Sequence, residues 1–184
     1  MIKRSIQRLF RLRTDVGLNF YLANFFFKYL LRQNAGVPWA VHYTSTVHCS
    51  DRIKRGKGVF PGDSPGNFID AKNGIEIGDY TNIGPNVGII SANHDLIDNE
   101  RFSADQPIRI GAFCWIGMGA VILPGIELGN HTIVGANAVV THSFPQGFCV
   151  IAGNPAKIVR LLDRVACEGF SGSKYPSPDE KQRR

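Results

Sequence analysis

A chain of 184 residues, 43% of them hydrophobic, can bury one core and carry a short appendage, so neither a disordered protein nor a small disulfide-stapled module fits. The formal charge of +6 is not spread: Lys3, Arg4, Arg8, Arg11, Arg13, Lys28 and Arg32 against Asp15 alone make up the whole surplus within residues 1–35. The remainder is neutral, so it does not match the phosphate charge of nucleic acid, and no nucleic-acid partner is expected.

Residues 1–36 read as a basic amphipathic helical leader. Basic and apolar residues alternate first, and a dense aromatic and aliphatic run follows from Leu18 to Leu31. That run, about fourteen residues with Lys28 inside it, is shorter than the roughly 20 that a membrane-spanning helix needs. Arg32-Gln33-Asn34 follows it, where a signal peptide would need small residues for cleavage. Two compatible readings stay open: a helix packed on the end of the main domain or on a neighbouring subunit, and a helix lying on an anionic membrane surface.

From Val47 onward an aliphatic residue tends to return at every sixth position. Val47, Ile53 and Val59 show this weakly, and Ile77, Ile83 and Ile89 strongly, with Pro65 and Ala71 filling the steps between. One register thus joins Val47 to Ile89, and the repeat is expected to start near Val47. Between Ile89 and Ile110 the register slips, and residues 95–107, polar and ending in Pro107, read as an extruded loop. Loops of this length inside regular repeats commonly carry function.

The beat is clearest from Ile110 through Ile116, Ile122, Leu128 and Val134 to Val140, with Gly111, Gly117, Gly129 and Gly135 following four of the six. A period of six is neither helical nor that of a flat strand, so it predicts a parallel β-helix built from six-residue faces. Cys114 falls on an inward slot and reads as core filler. With Cys49, Cys149 and Cys167 it forms no CxxC pair, so all four read as reduced thiols of a cytosolic protein. Residues 150–156 read as a last strand and turn. The spacing of Ile158, Leu161, Leu162 and Val165 predicts a capping helix over 157–165 that closes the domain 37–165, and residues 166–184 read as a flexible tail.

His94, between Asn93 and Asp95 where the register breaks, suits a general base; a solvent-facing loop histidine is the bland alternative. His42 and His48 precede the regular coil, and His131 and His142 lie on turns. Asn67, Asn82, Asp63 and Asp70 on earlier coils could hydrogen-bond a polyol, although turn-forming Asn and Asp are expected in any β-solenoid. No P-loop or dinucleotide fingerprint is present.

The string from Ile110 to Gly129, IGAFCWIGMGAVILPGIELG, followed by Val139-Val140-Thr141 and Gly153-Asn154-Pro155-Ala156-Lys157, resembles the hexapeptide-repeat acyltransferase family, within it the maltose, galactoside and polysaccharide O-acetyltransferase branch. The resemblance covers residues 47–162 and leaves the leader outside. It implies a left-handed parallel β-helix assembled as a homotrimer, with active sites between adjacent subunits, acetyl-CoA as acyl donor and no metal. It implies that His94 is the base that activates an acceptor hydroxyl on a sugar or glycan, and that the backbone N–H of Met118 donates to the oxyanion. Trp115, Ala136 and Thr141 match positions lining the CoA groove, and Lys157 and Arg160 match positions meeting its phosphates. Trp115 could instead be a packed corner, and Lys157 and Arg160 a solvated face of the capping helix. His142 stands where the family often places lysine, which puts one cationic contact to CoA in doubt. An amino acceptor on an amino sugar or xenobiotic fits the same base and groove. Two further classes are a γ-type zinc hydrase, whose three converging histidines the spacing of His94, His131 and His142 does not resemble, and a non-catalytic scaffold, which has no need of the interruption after His94. The expected location is cytoplasmic, with contact at the inner face of the membrane through residues 1–35.

Overall fold

The computed structural model describes residues 16–103 and 106–175. The basic stretch before residue 16, Ala104 and Asp105 of the expected loop, and the 176–184 end of the expected tail lie outside the described residues.

Short strands stack into three sheets, one per face of a coil. The first face holds β1 (Thr46–His48), β3 (Phe68–Asp70), β6 (Gly88–Ile90), β9 (Val121–Ile122) and β12 (Val139–Val140). The second holds β2 (Ile53–Arg55), β4 (Ile75–Ile77), β7 (Ile108–Ile110) and β10 (Glu127–Leu128). On the third lie β5 (Asn82–Ile83), β8 (Trp115–Ile116), β11 (Thr132–Val134), β13 (Cys149–Ala152) and β14 (Lys157–Leu161). Every pairing is parallel except that of β13 with β14, as a parallel β-helix requires. Strands this short turn one or two side chains inward, so the core is a set of aliphatic ladders. Val47, Ile69, Ile89, Ile122 and Val140 form one, and Ile83, Ile116, Val134 and Ile151 another, all buried.

The first ladder corrects the expected single register. Val47, Ile69, Ile89, Ile122 and Val140 are 22, 20, 33 and 18 residues apart, and only the last interval is three regular faces. The first two intervals sum to a multiple of six, which made Pro65 and Ala71 look like face positions. Ile69 is the residue on the ladder; Ala71 is buried at the corner after it. The interval of 33 contains the loop.

The corner between the second and third faces stacks Tyr80, Phe113, His131 and Phe148, each at positive φ (57°, 56°, 55° and 49°). Adjacent rings lie 5.5, 5.0 and 5.0 Å apart. Left-handed backbone is costly for such residues, and the stacking that repeats from turn to turn offsets it. Burial pushes the His131 pKa down, with Glu168 acting against it.

The expected capping helix over 157–165 is not what forms. Lys157–Leu161 is the edge strand β14, antiparallel to β13, with Ile158 opposite Ile151 and Leu161 opposite Cys149. The exposed N–H and C=O groups of the last coil strand need a partner, and β-branched Ile158 and Val159 suit an extended chain. The three-residue spacing that looked helical is accommodated by a register shift at Val150/Ile151. The helix begins later: α2 spans Arg164–Lys174, replacing the front of the expected flexible tail. Its Gly169 and Gly172 argue against a helix on propensity alone. Tertiary contacts hold it: Arg164 lies over the Phe148 ring at 4.9 Å, and Tyr175 stacks on Tyr80 at 3.9 Å. The Asp163 carboxylate caps it, accepting from the Ala166 N–H at 3.1 Å. Asp163→Ala should cost about 1 kcal/mol, read as roughly fivefold faster amide exchange in α2 with the coil unchanged. Unaltered exchange would remove the cap.

At the other end, α1 (Leu18–Phe25) runs into a π-helical turn (Phe26–Leu30). Asn24 Oδ1 accepts from the Val41 N–H at 3.0 Å, and Phe27 stacks on Tyr43 at 4.6 Å, seating the helix against the segment that leads into β1.

Candidate active site

Ser91 and Ala92 are still buried behind β6; the chain then leaves the coil, so Asn93 and His94 are exposed. His94 bridges antiparallel to Phe102, and the Asp95 N–H donates to the Arg101 carbonyl at 2.9 Å, so the insertion is a narrow out-and-back loop. Its base is pinned to the preceding turn. Asn73 Nδ2 donates to the Ser91 and Ser103 carbonyls at 2.9 and 3.0 Å. Inside the loop, Asp95 Oδ1 accepts from the N–H groups of Ile97 and Asp98, both at 2.9 Å, which holds the Asp95 pKa below its ordinary value.

The His94 ring is oriented twice over. Its Nδ1 lies 2.5 Å from the Asn99 carbonyl oxygen. A carbonyl can only accept, so Nδ1 carries the proton, and in the neutral ring the lone pair is on Nε2. On one face the ring meets Phe102 at 4.4 Å, and Lys72 Nζ sits 2.7 Å from the Phe102 centroid. Asn99, Phe102, Asn73 and Lys72 are the residues that sequence reading missed. Phe102 alone left a signal, as the aromatic where the loop returns; the Asn73 and Lys72 contacts cross between turns of the coil, which no local pattern reports.

The remaining candidates fall into groups. On the outer side of the third face, Asn82, Trp115, Ile133, Val150 and Arg160 occupy one continuous register row. Trp115 is 57% exposed, so it is not a packed corner, and Lys157 is exposed on the same strand as Arg160. Both basic residues therefore belong to an edge strand and not to a helix face. Met118 and Ala136 lie on successive turns of the corner between the third and first faces, where the Asn137 N–H donates to the Met118 carbonyl at 2.8 Å. Thr141 is on a different corner, the one from which the His94 loop leaves two turns earlier, and its hydroxyl is 2.7 Å from His142 Nδ1. No single corner of one chain carries all of them.

Asn67 is a correction. It is 2% exposed, its Nδ2 donates to the Gly84 carbonyl at 3.0 Å, and its N–H donates to Ser45 Oγ. It holds two corners of the coil together and cannot reach an acceptor. Asp70, in contrast, stands on the outer side of the first face beside Ile90, next to the departure of the His94 loop.

Cys114 is buried beneath the third face, its Sγ donating to the Gly129 carbonyl at 3.2 Å, and desolvation pushes its pKa up to about 11. It is core, as its slot predicted. His131 is held in the aromatic stack, away from the corner of His142, and among the described residues no three His, Cys, Asp or Glu side chains cluster as a metal site. A cleft of about 520 Å³ lies over the second face, where Lys54 and Arg109 flank Glu76 at 2.8 and 3.6 Å. None of the candidate residues lines it. A second cleft, about 430 Å³, adjoins the base of the loop at Lys72, Asn73 and Pro107.

Comparison with known proteins bears on the coil. Residues 107–142 match the model of the bacterial transferase hexapeptide (six repeats). The galactoside O-acetyltransferase of Escherichia coli is 35% identical over 92 residues, which cover 48% of this chain and 45% of that protein. The chain spans under half the length of the curated relatives it matches. Among solved structures, a maltose O-acetyltransferase from Clostridium difficile 630 superposes with a TM-score of 0.55 at 30% identity, covering 62% of each chain. A galactoside acetyltransferase in complex with coenzyme A superposes with a TM-score of 0.57 at 25% identity, covering 67% of this chain and 65% of that one.

Proposed function

The chain carries the hexapeptide repeat of bacterial transferases over residues 107–142, and from that premise we propose that it is an acetyl-CoA-dependent O-acetyltransferase acting on a sugar or glycan hydroxyl. The observation that carries the reading is the orientation of His94. With Nδ1 committed to the Asn99 carbonyl, Nε2 is the basic nitrogen and takes the proton of an acceptor hydroxyl. The acceptor oxygen attacks the thioester carbonyl, and the backbone N–H of Met118 donates to the oxyanion that forms. Collapse breaks the C–S bond, and the leaving CoA thiolate takes the proton back from His94. Transfer is direct, without an acyl-enzyme.

Trp115 and Ala136 provide a groove wall, and Lys157 and Arg160 meet the anionic end of CoA. Thr141 lines the same groove with its hydroxyl shared by His142, in place of the lysine that the family often has. Thr141 shares the corner of the His94 loop two turns away, whereas Trp115, Lys157 and Arg160 lie on the third face and Ala136 on the corner after it. A left-handed coil assembled as a homotrimer would bring the His94 corner of one copy against the Trp115 face of the next, giving three shared sites. Asn82, Asp63 and Asp70 are the acceptor-side candidates that remain exposed or partly exposed.

The test is turnover by the full chain with acetyl-CoA and a panel of sugars offering hydroxyl or amino groups, following released CoA thiol and the acetylated product. Ester formation on a hydroxyl acceptor is expected. Turnover only with amines would shift the reading to N-acetylation, and no thiol release above buffer with any acceptor would remove it.

A further inference from the structure

The aromatic run of the leader contains one charge, Lys28, which in the sequence interrupts an otherwise apolar surface. The structure removes it from that surface. The π-helical turn Phe26–Leu30 shifts the side-chain register after α1, and Lys28 is turned inward and buried, its ammonium donating to the carbonyls of Val37 and Trp39. Burial lowers its pKa. On the side away from the coil stand Leu22, Phe25, Phe26, Tyr29, Leu30 and Leu31, each 47–67% exposed. Phe25 and Tyr29 touch each other, ring centroids 5.2 Å apart. This is an uncharged surface of exposed aromatic and leucine side chains, a composition favoured at a lipid–water boundary. The chain that leads directly into it, residues 1–15, carries Lys3, Arg4, Arg8, Arg11 and Arg13 against one acid, Asp15. No helix among the described residues is long and apolar enough to cross a membrane.

We propose that this outer face docks on an anionic lipid surface, the aromatic and leucine side chains entering the interfacial layer and the preceding cations pairing with lipid headgroups. Either element alone gives weak, reversible attachment; an apolar face beside a polybasic segment supplies the two signals that stable peripheral binding needs. The proposal does not rest on the acetyl-transfer reading.

Full-length protein is co-sedimented with vesicles of phosphatidylcholine alone and with about one third phosphatidylglycerol. Partitioning is expected to be at least about tenfold stronger on the anionic vesicles and to weaken in high salt. The double variant Phe25→Ser with Tyr29→Ser, which alters side chains pointing away from the coil, should lose about tenfold or more while melting and oligomeric mass stay unchanged. Protein left in the supernatant with anionic vesicles, or equal partitioning of the variant, would overturn the proposal. So would a variant of reduced oligomeric mass, since the face would then be a contact between copies of the chain.

Discussion

His94→Ala is expected to lower kcat by about 10²–10⁴-fold while the KM for acetyl-CoA and the melting temperature stay near those of the unaltered protein. The rate effect follows from the role proposed for Nε2: without it, the proposed base at the root of the loop is gone and cannot take the acceptor proton as the C–O bond forms. Stability should not follow, because the ring is exposed and its hydrogen bond to Asn99 is to a loop carbonyl. Binding of the cofactor should not follow either, since the proposed groove residues lie on other strands or other turns of the coil. Retention of more than about a tenth of the rate would remove His94 as base. A variant that fails to bind acetyl-CoA would point to a positioning role. Phe102→Leu separates orientation from chemistry: it keeps the base but removes the ring that packs on it at 4.4 Å. It should lower kcat less than the alanine variant and leave the reaction intact.

Gly129→Ala should damage the coil severely for so small a change, costing more than about 3 kcal/mol in chemical denaturation. A Cβ there would lie 2.3 Å from the Pro145 carbonyl oxygen and 2.5 Å from the Gly147 nitrogen. Both obstacles are backbone atoms of the next turn, so no rotamer change relieves them and the spacing between turns would have to open. The matched control is Gly36→Ala, where nothing lies within 4 Å of the added carbon. That change should be neutral or stabilise by about 0.4–1 kcal/mol through the unfolded chain. If Gly129→Ala came within about 1 kcal/mol of the unaltered protein, close stacking would not be the reason for glycine at this position.

The coil was legible because its cause is local and repeated. Each face must send an aliphatic side chain inward and then bend, so Ile110, Ile116, Ile122, Leu128, Val134 and Val140 announce the faces one by one. Earlier turns carry corner insertions, and there the same rule misled: Ile69 is the ladder residue, and the six-step register passed it by. Ile158 and Leu161 misled for a different reason. Three-residue spacing is common to a helix face and to an edge strand with a register shift, and the deciding fact was the unpaired edge of β13. The position of His94 was readable as the point where the period breaks; its role as a base is the reading proposed above.

What the sequence determined by itself is therefore the β-helix, the place of the insertion and the histidine at its root, all properties of neighbours within about six residues. Tertiary structure alone decided which ring nitrogen of His94 meets the Asn99 carbonyl, that Phe102 packs on that ring with Lys72 over Phe102, that Asn67 is buried, and that Lys28 turns inward to leave an uncharged aromatic face. Each of these depends on contacts between successive turns of the coil or across the loop. The separations involved vary with every corner insertion, so no fixed spacing in the chain records them.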